Sequence, residues 1–175
     1  SSLINVSEKI EGANSPFWSS SDELYLINKG QVYKYSFETG EAVQVTDFYA
    51  GVSDPVLSND ERYLAFTAEL FPECGTDNDC NKRLDESSSK GPMQAYIADE
   101  LLFRHWTDYK GEKESYLVLF DIKENKYQAI TSSDVLSGTY MLGGGPKYAF
   151  SPDSRVLAYV SSSEKNIANS TNTDI

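Results

Sequence analysis

The chain is poor in the residues on which most metal and redox sites depend. Its 175 residues include two cysteines, one histidine and two methionines. A zinc site usually needs four Cys or His ligands, and one cysteine pair with the lone His105 cannot supply them. A redox CxxC motif is also absent. We therefore expect no metal and no other cofactor.

Long apolar runs, a leader segment and excess positive charge are missing as well. No apolar stretch approaches the roughly 20 residues that span a bilayer, so we expect no membrane span. No charged-then-apolar segment opens the sequence. We therefore expect that any signal peptide has been removed or is not part of these 175 residues. The net charge of −12 opposes binding to the phosphates of nucleic acid. A solvated acidic surface is the simplest account of that charge.

The motifs of common hydrolases and nucleotide-binding proteins are incomplete. His105 is the only histidine, so any Ser-His-Asp or Cys-His site would have to use it. The nucleophile elbow G-x-S-x-G does not occur, because Pro55 stands where its last glycine belongs. The glycines at 143–145 precede Pro146 instead of the Lys-Ser/Thr of a phosphate-binding loop. We expect no catalytic residue in this chain.

A short signature that occurs twice indicates a repeat protein. Residues 58–66 and 151–159 both read Ser-x-Asp-x-Arg, followed by a β-former, Leu, Ala and an aromatic. A looser third copy runs from Trp18 through Asp22 to Ile27. The polar residues suit a turn, and the branched and aromatic residues suit a strand. Each copy is therefore predicted to be a turn that leads into an inner strand.

A strand–turn–strand pattern also occurs twice, out of phase with the signature. Residues 32–46 match residues 117–131 position for position, with Gly40 and Asn125 at the same place in the turn. Glycine and asparagine tolerate a positive φ best, so both hairpins are predicted to use it there. A turn, an inner strand and a meander of further strands make one blade of a β-propeller.

The spacing of the two patterns locates an insertion. Gly40 follows Asp22 by 18 residues (40 − 22), whereas Asn125 follows Asp60 by 65 (125 − 60). We predict an all-β fold, a partial propeller of about three four-stranded antiparallel blades with a disulfide-bearing insertion in the second. The predicted blades span about 14–50, 51–135 with the insertion at 69–114, and an incomplete 136–175. A closed ring needs at least four blades, so residues 1–175 are expected to be a fragment of one propeller domain.

Both cysteines lie in the insertion, with five residues between Cys74 and Cys80. A local disulfide would close a small loop and contribute about 2 kcal/mol in the chain-entropy model. It would require an oxidising compartment such as the periplasm or the exterior. Two free, partly buried thiols are the alternative.

The residues after Cys74 imitate a calcium-binding loop. Asp77, Asp79 and Asn81 match the start of an EF-hand, but Lys82 stands where its sharp turn needs glycine. We expect a polar loop here, with a loose calcium site as the alternative. The segment from Glu86 to Gln94 is expected to be flexible. The segment ending at Trp106 is predicted to form a strand that pairs with residues 115–122.

Two motifs carry a resemblance to known families. The repeat signature resembles the TolB-like propeller repeat. The cysteine-bearing segment 71–85, followed by Arg104-His105-Trp106, is similar to the N-terminal propeller of prolyl oligopeptidase family serine peptidases. The branch it most resembles is that of the secreted bacterial dipeptidyl peptidases and acylaminoacyl-peptidase-like enzymes, where such an insertion leads to an Arg-His-Trp-Asp strand. Here Thr107 separates Trp106 from Asp108.

The resemblance implies a two-part serine peptidase in the periplasm or outside the cell. Its propeller would cap a C-terminal α/β-hydrolase domain, which lies outside this chain, and would limit access to short peptides. Arg104, His105 and Trp106 become candidate substrate-binding residues. The alternative is a TolB-like propeller that acts as a protein-binding scaffold without catalysis. A sugar- or metal-binding propeller ranks third.

Overall fold

The described residues fold mainly into antiparallel β-sheets. A computed structural model describes residues 4–89, 104–105, 108–109, 111–132, 146–162 and 174–175. Its elements are the 3₁₀ helix Val6–Glu8, helix α1 (Asn78–Ser89) and the strands β1 (Asn14–Trp18), β2 (Leu24–Asn28), β3 (Gln31–Tyr35), β4 (Ala42–Gln44), β5 (Ser53–Leu57), β6 (Tyr63–Leu70), β7 (Arg104–His105), β8 (Asp108–Tyr109), β9 (Glu114–Asp121), β10 (Lys126–Ala129), β11 (Tyr148–Phe150) and β12 (Leu157–Tyr159).

Two four-stranded sheets repeat one topology. Sheet 1 has the order β1-β2-β3-β4, and sheet 2 has the order β10-β9-β6-β5. A third sheet contains β11 and β12, and β7 pairs with β8. The insertion leaves sheet 2 after Leu70 and returns at Glu114, where β6 and β9 pair in unbroken register. The predicted partial propeller, with its insertion in the second sheet, is confirmed.

The strand after each repeat turn is the second strand of its sheet, not the innermost one. In sheet 2 the turn joins β5 to β6, and β5 approaches β11 of the third sheet. The Tyr148 hydroxyl on β11 donates to the carbonyl of Asp54 on β5. The first strands therefore lie innermost. The sequence hides them because β1 and β5 contain Pro16 and Pro55, which suit an edge strand but break a strand pattern.

Alternation along β6 and β9 gives sheet 2 two buried faces. Leu64 and Phe66 point toward sheet 1, whereas Ala65 and Leu117 point toward the third sheet. Phe48, from the linker between sheets 1 and 2, packs edge-on against Phe66 with ring centroids 5.4 Å apart. The sheets therefore stack face to face, as blades of a propeller do.

The two matching hairpins use the predicted backbone conformation. Gly40 has a φ of 70° and Asn125 a φ of 51°. Both lie in the left-handed region that these residue types tolerate best. The prediction of positive φ at this position is confirmed.

Replacing Phe66 should test the packing between sheets 1 and 2. Phe66 is 0% exposed, so Phe66→Ala should lower the free energy of unfolding by about 3–5 kcal/mol, the cost of a large core cavity. Urea denaturation of the purified protein measures the change. Val43→Ala is the control, because Val43 is 68% exposed and its loss should cost less than about 0.5 kcal/mol. A drop below about 1 kcal/mol for Phe66→Ala would contradict this packing.

Candidate functional site

The insertion begins with a helix where the sequence predicts a polar loop. The Asp77 carboxylate accepts a hydrogen bond from the backbone N–H of Cys80 at 2.9 Å. The backbone N–H of Asn81 donates to the Asp77 carbonyl at 3.1 Å. Asp77 is thus the N-cap of α1, and the negative charge favours that end of a helix. The predicted polar loop is therefore wrong, and the flexibility predicted from Glu86 is wrong as far as Ser89, because α1 extends through both segments.

Asn81 has a structural role at the base of the insertion. Its side chain is buried, accepts from the backbone N–H of Phe71 at 3.0 Å and donates to the carbonyl of Gly75 at 2.9 Å. These bonds tie the end of β6 to the first turn of α1. Asp77 and Asn81, which imitate calcium ligands in the sequence, therefore serve the helix start.

A disulfide links Cys74 to Cys80, with Cα atoms 5.5 Å apart. It joins the loop after β6 to the first turn of α1. The predicted disulfide is confirmed in preference to two free thiols. Together with the Asn81 bonds, it fixes how the insertion leaves sheet 2.

The start of α1 is also tied to the linker between sheets 1 and 2. The Asn78 side chain accepts from the backbone N–H of Tyr49 at 2.9 Å and donates to the carbonyl of Asp47 at 3.0 Å. The N–H of Asp47 in turn donates to the Tyr127 hydroxyl of β10 at 2.9 Å. One amide side chain thus connects the insertion with a segment that touches both sheets.

Lys113 anchors the returning end of the insertion. Its ammonium lies 2.7 Å from the Asp85 carboxylate of α1 and 5.3 Å from the centre of the Phe71 ring. The ion pair is half-buried, so water screens it only in part. The insertion is therefore held at both ends, on the rim of sheet 2 opposite the repeat turns.

Two of the candidate substrate-binding residues, Arg104 and His105, form strand β7, which pairs with β8 within the insertion. Arg104 pairs with Tyr109, and His105 pairs with Asp108. The predicted pairing of this segment with β9 is wrong, because β7 and β8 pair only with each other, and β9 pairs with β6 along its whole length and with β10 from Val118 to Asp121. Trp106 lies outside the described residues. The role of Arg104, His105 and Trp106 in substrate binding stays a prediction.

The repeat turns form the opposite rim. In turn 2 (residues 58–62) the Ser58 hydroxyl donates to the Asp60 carboxylate at 2.6 Å and accepts from the N–H of Tyr63 at 2.9 Å. Turn 3 (residues 151–155) repeats both bonds from Ser151. The Ser58 hydroxyl is the main cause that lowers the pKa of Asp60. The signature therefore encodes a hydroxyl–carboxylate lock that closes the turn.

Turn 1 (residues 19–22) is one residue shorter than the other two. Its Ser19 N–H donates to the carbonyl of Glu23, four positions on, whereas Ser58 bonds the residue five positions on. Asp22 has a positive φ of 63°, like Glu61 and Ser154 at the fourth position of their turns. Asp22 therefore corresponds to Glu61. The sequence comparison, which pairs Asp22 with Asp60, is wrong at this position.

Adjacent turns are joined by two hydrogen bonds that recur. The side chain of the second residue donates to the carbonyl of the second residue in the next turn, Ser20 to Asn59 at 2.6 Å and Asn59 to Pro152 at 3.0 Å. The backbone N–H of the third residue donates to the side chain of the fourth residue in the next turn. These bonds run from Ser21 to Glu61 at 3.1 Å and from Asp60 to Ser154 at 3.0 Å.

A cleft with a volume of about 780 Å³ opens between sheet 2 and the third sheet beside these turns. Its wall includes the Arg62–Asp121 ion pair, with nitrogen and oxygen 2.9 Å apart. Lys126 and Arg155 add two cations, and Phe150 adds apolar surface. Sequence reasoning missed this cleft, although the recurrence of Arg in both signatures was a usable signal.

Comparison with known proteins gives likenesses of structure only. No family model and no curated protein matches the chain. Solved structures similar to it include the tricorn protease (13% identity, TM-score 0.49, covering 85% of this chain and 11% of that one). TolB from Acinetobacter baumannii is 13% identical with a TM-score of 0.41, covering 92% and 39%. An oligogalacturonate lyase from Vibrio parahaemolyticus is 13% identical with a TM-score of 0.42, covering 85% and 40%.

The chain spans between about a tenth and two fifths of the length of these proteins. At such low identity, none of their activities transfers to it. The class that the sheets themselves define is a partial β-propeller with a disulfide-anchored insertion. No helix among the described residues is long and apolar enough to cross a membrane.

Reduction should loosen the base of the insertion. Reductant should lower the free energy of unfolding by about 2 kcal/mol, because an open Cys74–Cys80 loop has more freedom when unfolded. Thermal melts with and without reductant measure the change. A Cys74→Ser/Cys80→Ser double variant is the control and should melt identically in both. Equal melting of the unaltered protein under the two conditions would argue for free thiols.

The junction between turns 1 and 2 should be sensitive to acid. Hydrogen bonds from the Ser21 hydroxyl lower the pKa of Glu61 below its ordinary value of 4.5. A lowered pKa means that the carboxylate stabilises the fold above about pH 4.5, and that this contribution is lost as the pH falls further. Glu61→Gln should therefore lower the Tm by about 2–4 °C at pH 7, and this deficit should narrow as the pH falls below about 4.5.

Thermal melts across this pH range measure the Glu61 effect. Glu38→Gln is the matched control, because Glu38 is exposed and makes no side-chain hydrogen bond among the described residues. A Glu61→Gln deficit that does not narrow at any acidic pH where the protein stays folded would show that charge at Glu61 is not involved.

Proposed function

We propose that this chain is the propeller segment of a periplasmic or secreted serine exopeptidase of the prolyl oligopeptidase type. It caps a C-terminal α/β-hydrolase domain and limits access to short peptides. The chain contributes no nucleophile and no triad. Its task is to shape and restrict the route to a catalytic centre in that second domain.

The anchored insertion is the observation that carries this proposal. A disulfide, the buried Asn81 side chain and the Lys113–Asp85 pair hold it on one rim of sheet 2. A segment that is fixed at both ends can present side chains at a constant place beside a neighbouring domain. In this protein the side chains presented to the neighbouring domain are those of Arg104 and His105, together with Trp106, which follows them in the sequence.

The disulfide also supports the proposed compartment. Such bonds persist in the periplasm and outside the cell, whereas cytosolic reductants keep most thiols free. The insertion closed by Cys74 and Cys80 is therefore suited to an extracytoplasmic protein.

A TolB-like propeller that binds other proteins without catalysis is the second candidate. The hydrogen bonds between the repeat turns favour a scaffold as much as a peptidase, because both functions need rigid, stacked blades. The anchored insertion favours the peptidase, since stacking of the sheets does not require it.

The full-length protein provides the test. It should react with a fluorophosphonate that labels active serines, and it should cleave chromogenic dipeptidyl or acyl-aminoacyl substrates but not casein. His105→Ala should raise KM for the short substrates about tenfold without changing the extent of labelling. Lys123→Ala, in the exposed β9–β10 hairpin, is the control and should leave KM unchanged.

Absence of labelling and of cleavage would overturn the peptidase proposal in favour of the scaffold. Labelling with an unchanged KM for His105→Ala would keep the peptidase and remove His105 from the substrate site.

A further inference from the structure

The ladder of hydrogen bonds between repeat turns has a direction. In both junctions the turn that comes earlier in the chain supplies the donors, and the later turn supplies the acceptors. The acceptors are a backbone carbonyl at the second position and a side-chain oxygen at the fourth. Each turn therefore has a donating side and an accepting side.

Among the described residues, nothing donates to the accepting side of turn 1. The carbonyl of Ser20 corresponds to the accepting carbonyls of Asn59 and Pro152. The Asp22 carboxylate corresponds to the accepting oxygens of Glu61 and Ser154. Asp22 is exposed, and no hydrogen bond to its side chain occurs within the part of the chain that the structure describes. Its positive φ of 63° holds it in the same backbone conformation as its two counterparts.

The sheet face beside turn 1 also lacks a complete cover. Trp18 stands opposite Leu24, on the face of sheet 1 that points away from sheet 2. The segment with Val6 and Ile10 covers the middle of this face. Near the turn, however, Trp18 remains 61% exposed and Phe37 47% exposed, with their rings stacked 6.0 Å apart.

We propose that Asp22 and the carbonyl of Ser20 form the accepting half of a further junction. Its occupant is the repeat turn of another propeller sheet of the same polypeptide. That sheet would also cover Trp18 and Phe37, as sheets 1 and 2 combine a turn junction with an apolar face. A closed ring needs at least four sheets, and the described residues contain three repeat turns.

A second copy of the chain fits this surface less well. Most dimers have a twofold axis, which places the same patch of both copies face to face. Asp22 would then meet Asp22, with acceptor against acceptor and like charges together. A head-to-tail ladder needs a donating turn, and a further sheet in the ring supplies one. This inference does not depend on the proposed peptidase activity.

The test uses the full-length protein with Asp22→Gly. Glycine adopts a positive φ without strain, so loss of an unbonded side chain should leave the Tm unchanged or raise it. If Asp22 accepts a bond from another turn, the Tm should instead fall by about 2–4 °C. Lys29→Gly is the matched control, because Lys29 is exposed at a positive φ of 49° in the β2–β3 hairpin. Glu61→Gly should lower the Tm, since it breaks a junction that is present.

Hydrogen–deuterium exchange identifies the occupant. Asp22→Gly should increase deuterium uptake in turn 1 and in a repeat turn other than those at 58–62 and 151–155. If Asp22→Gly does not fold, Asp22→Asn carries the test, because asparagine keeps a neutral acceptor and should lower the Tm by less. A variant that behaves like Lys29→Gly, with no such change in exchange, would overturn the proposal. A Tm loss that depends on protein concentration would also overturn it, because the occupant would then be a second copy.

Discussion

Sheet 2 is apolar on both of its faces, and the arrangement of the other sheets follows from that constraint. Leu64 and Phe66 point one way from β6, while Ala65 points the other way with Leu117 of β9. A sheet of this kind is stable only when another layer covers each side. Stacking the sheets side by side brings equivalent ends together, so the repeat turns meet on one rim and can bond in series.

The two rims of sheet 2 are held by different chemistry. The turn rim relies on short polar side chains that bond neighbouring backbones, and Glu61 adds a charged acceptor to the first junction. The insertion rim combines a disulfide with the buried amide of Asn81. Polar turns couple one sheet to the next, whereas the insertion ties sheet 2 to the linker that enters it. The two rims of sheet 2 are therefore held by separate sets of contacts.

Repetition made much of the fold predictable from the sequence. The paired hairpins fixed the positive φ at Gly40 and Asn125, and the unequal spacing placed the insertion between β6 and β9. Features that occur only once, or that interrupt a strand pattern, were not predicted from the sequence. Pro16 and Pro55 hid the innermost strands, and the helix cap at Asp77 was predicted to be part of a polar loop.

The candidate site was less predictable, because it depends on contacts between distant segments. The junction bonds join residues such as Asn59 and Pro152, and no local pattern announces such a pair. The cleft beside them needs two sheets in place before its charged groups converge. The proposed role of Arg104 and His105 in substrate binding comes from a sequence motif, and a motif does not define the orientation of side chains.

The ladder of hydrogen bonds between the repeat turns is not uniform along the chain. The first junction holds Glu61 through both the amide and the hydroxyl of Ser21, in addition to the bond from Ser20. The second junction has the two recurring bonds alone. At the leading edge of turn 3, proline has no side-chain donor to extend the series, and only the amide of Asp153 remains for that purpose. The hydrogen bonds that join the turns thus decrease in number from the first junction to the second, and turn 3 can donate only one of the two recurring bonds.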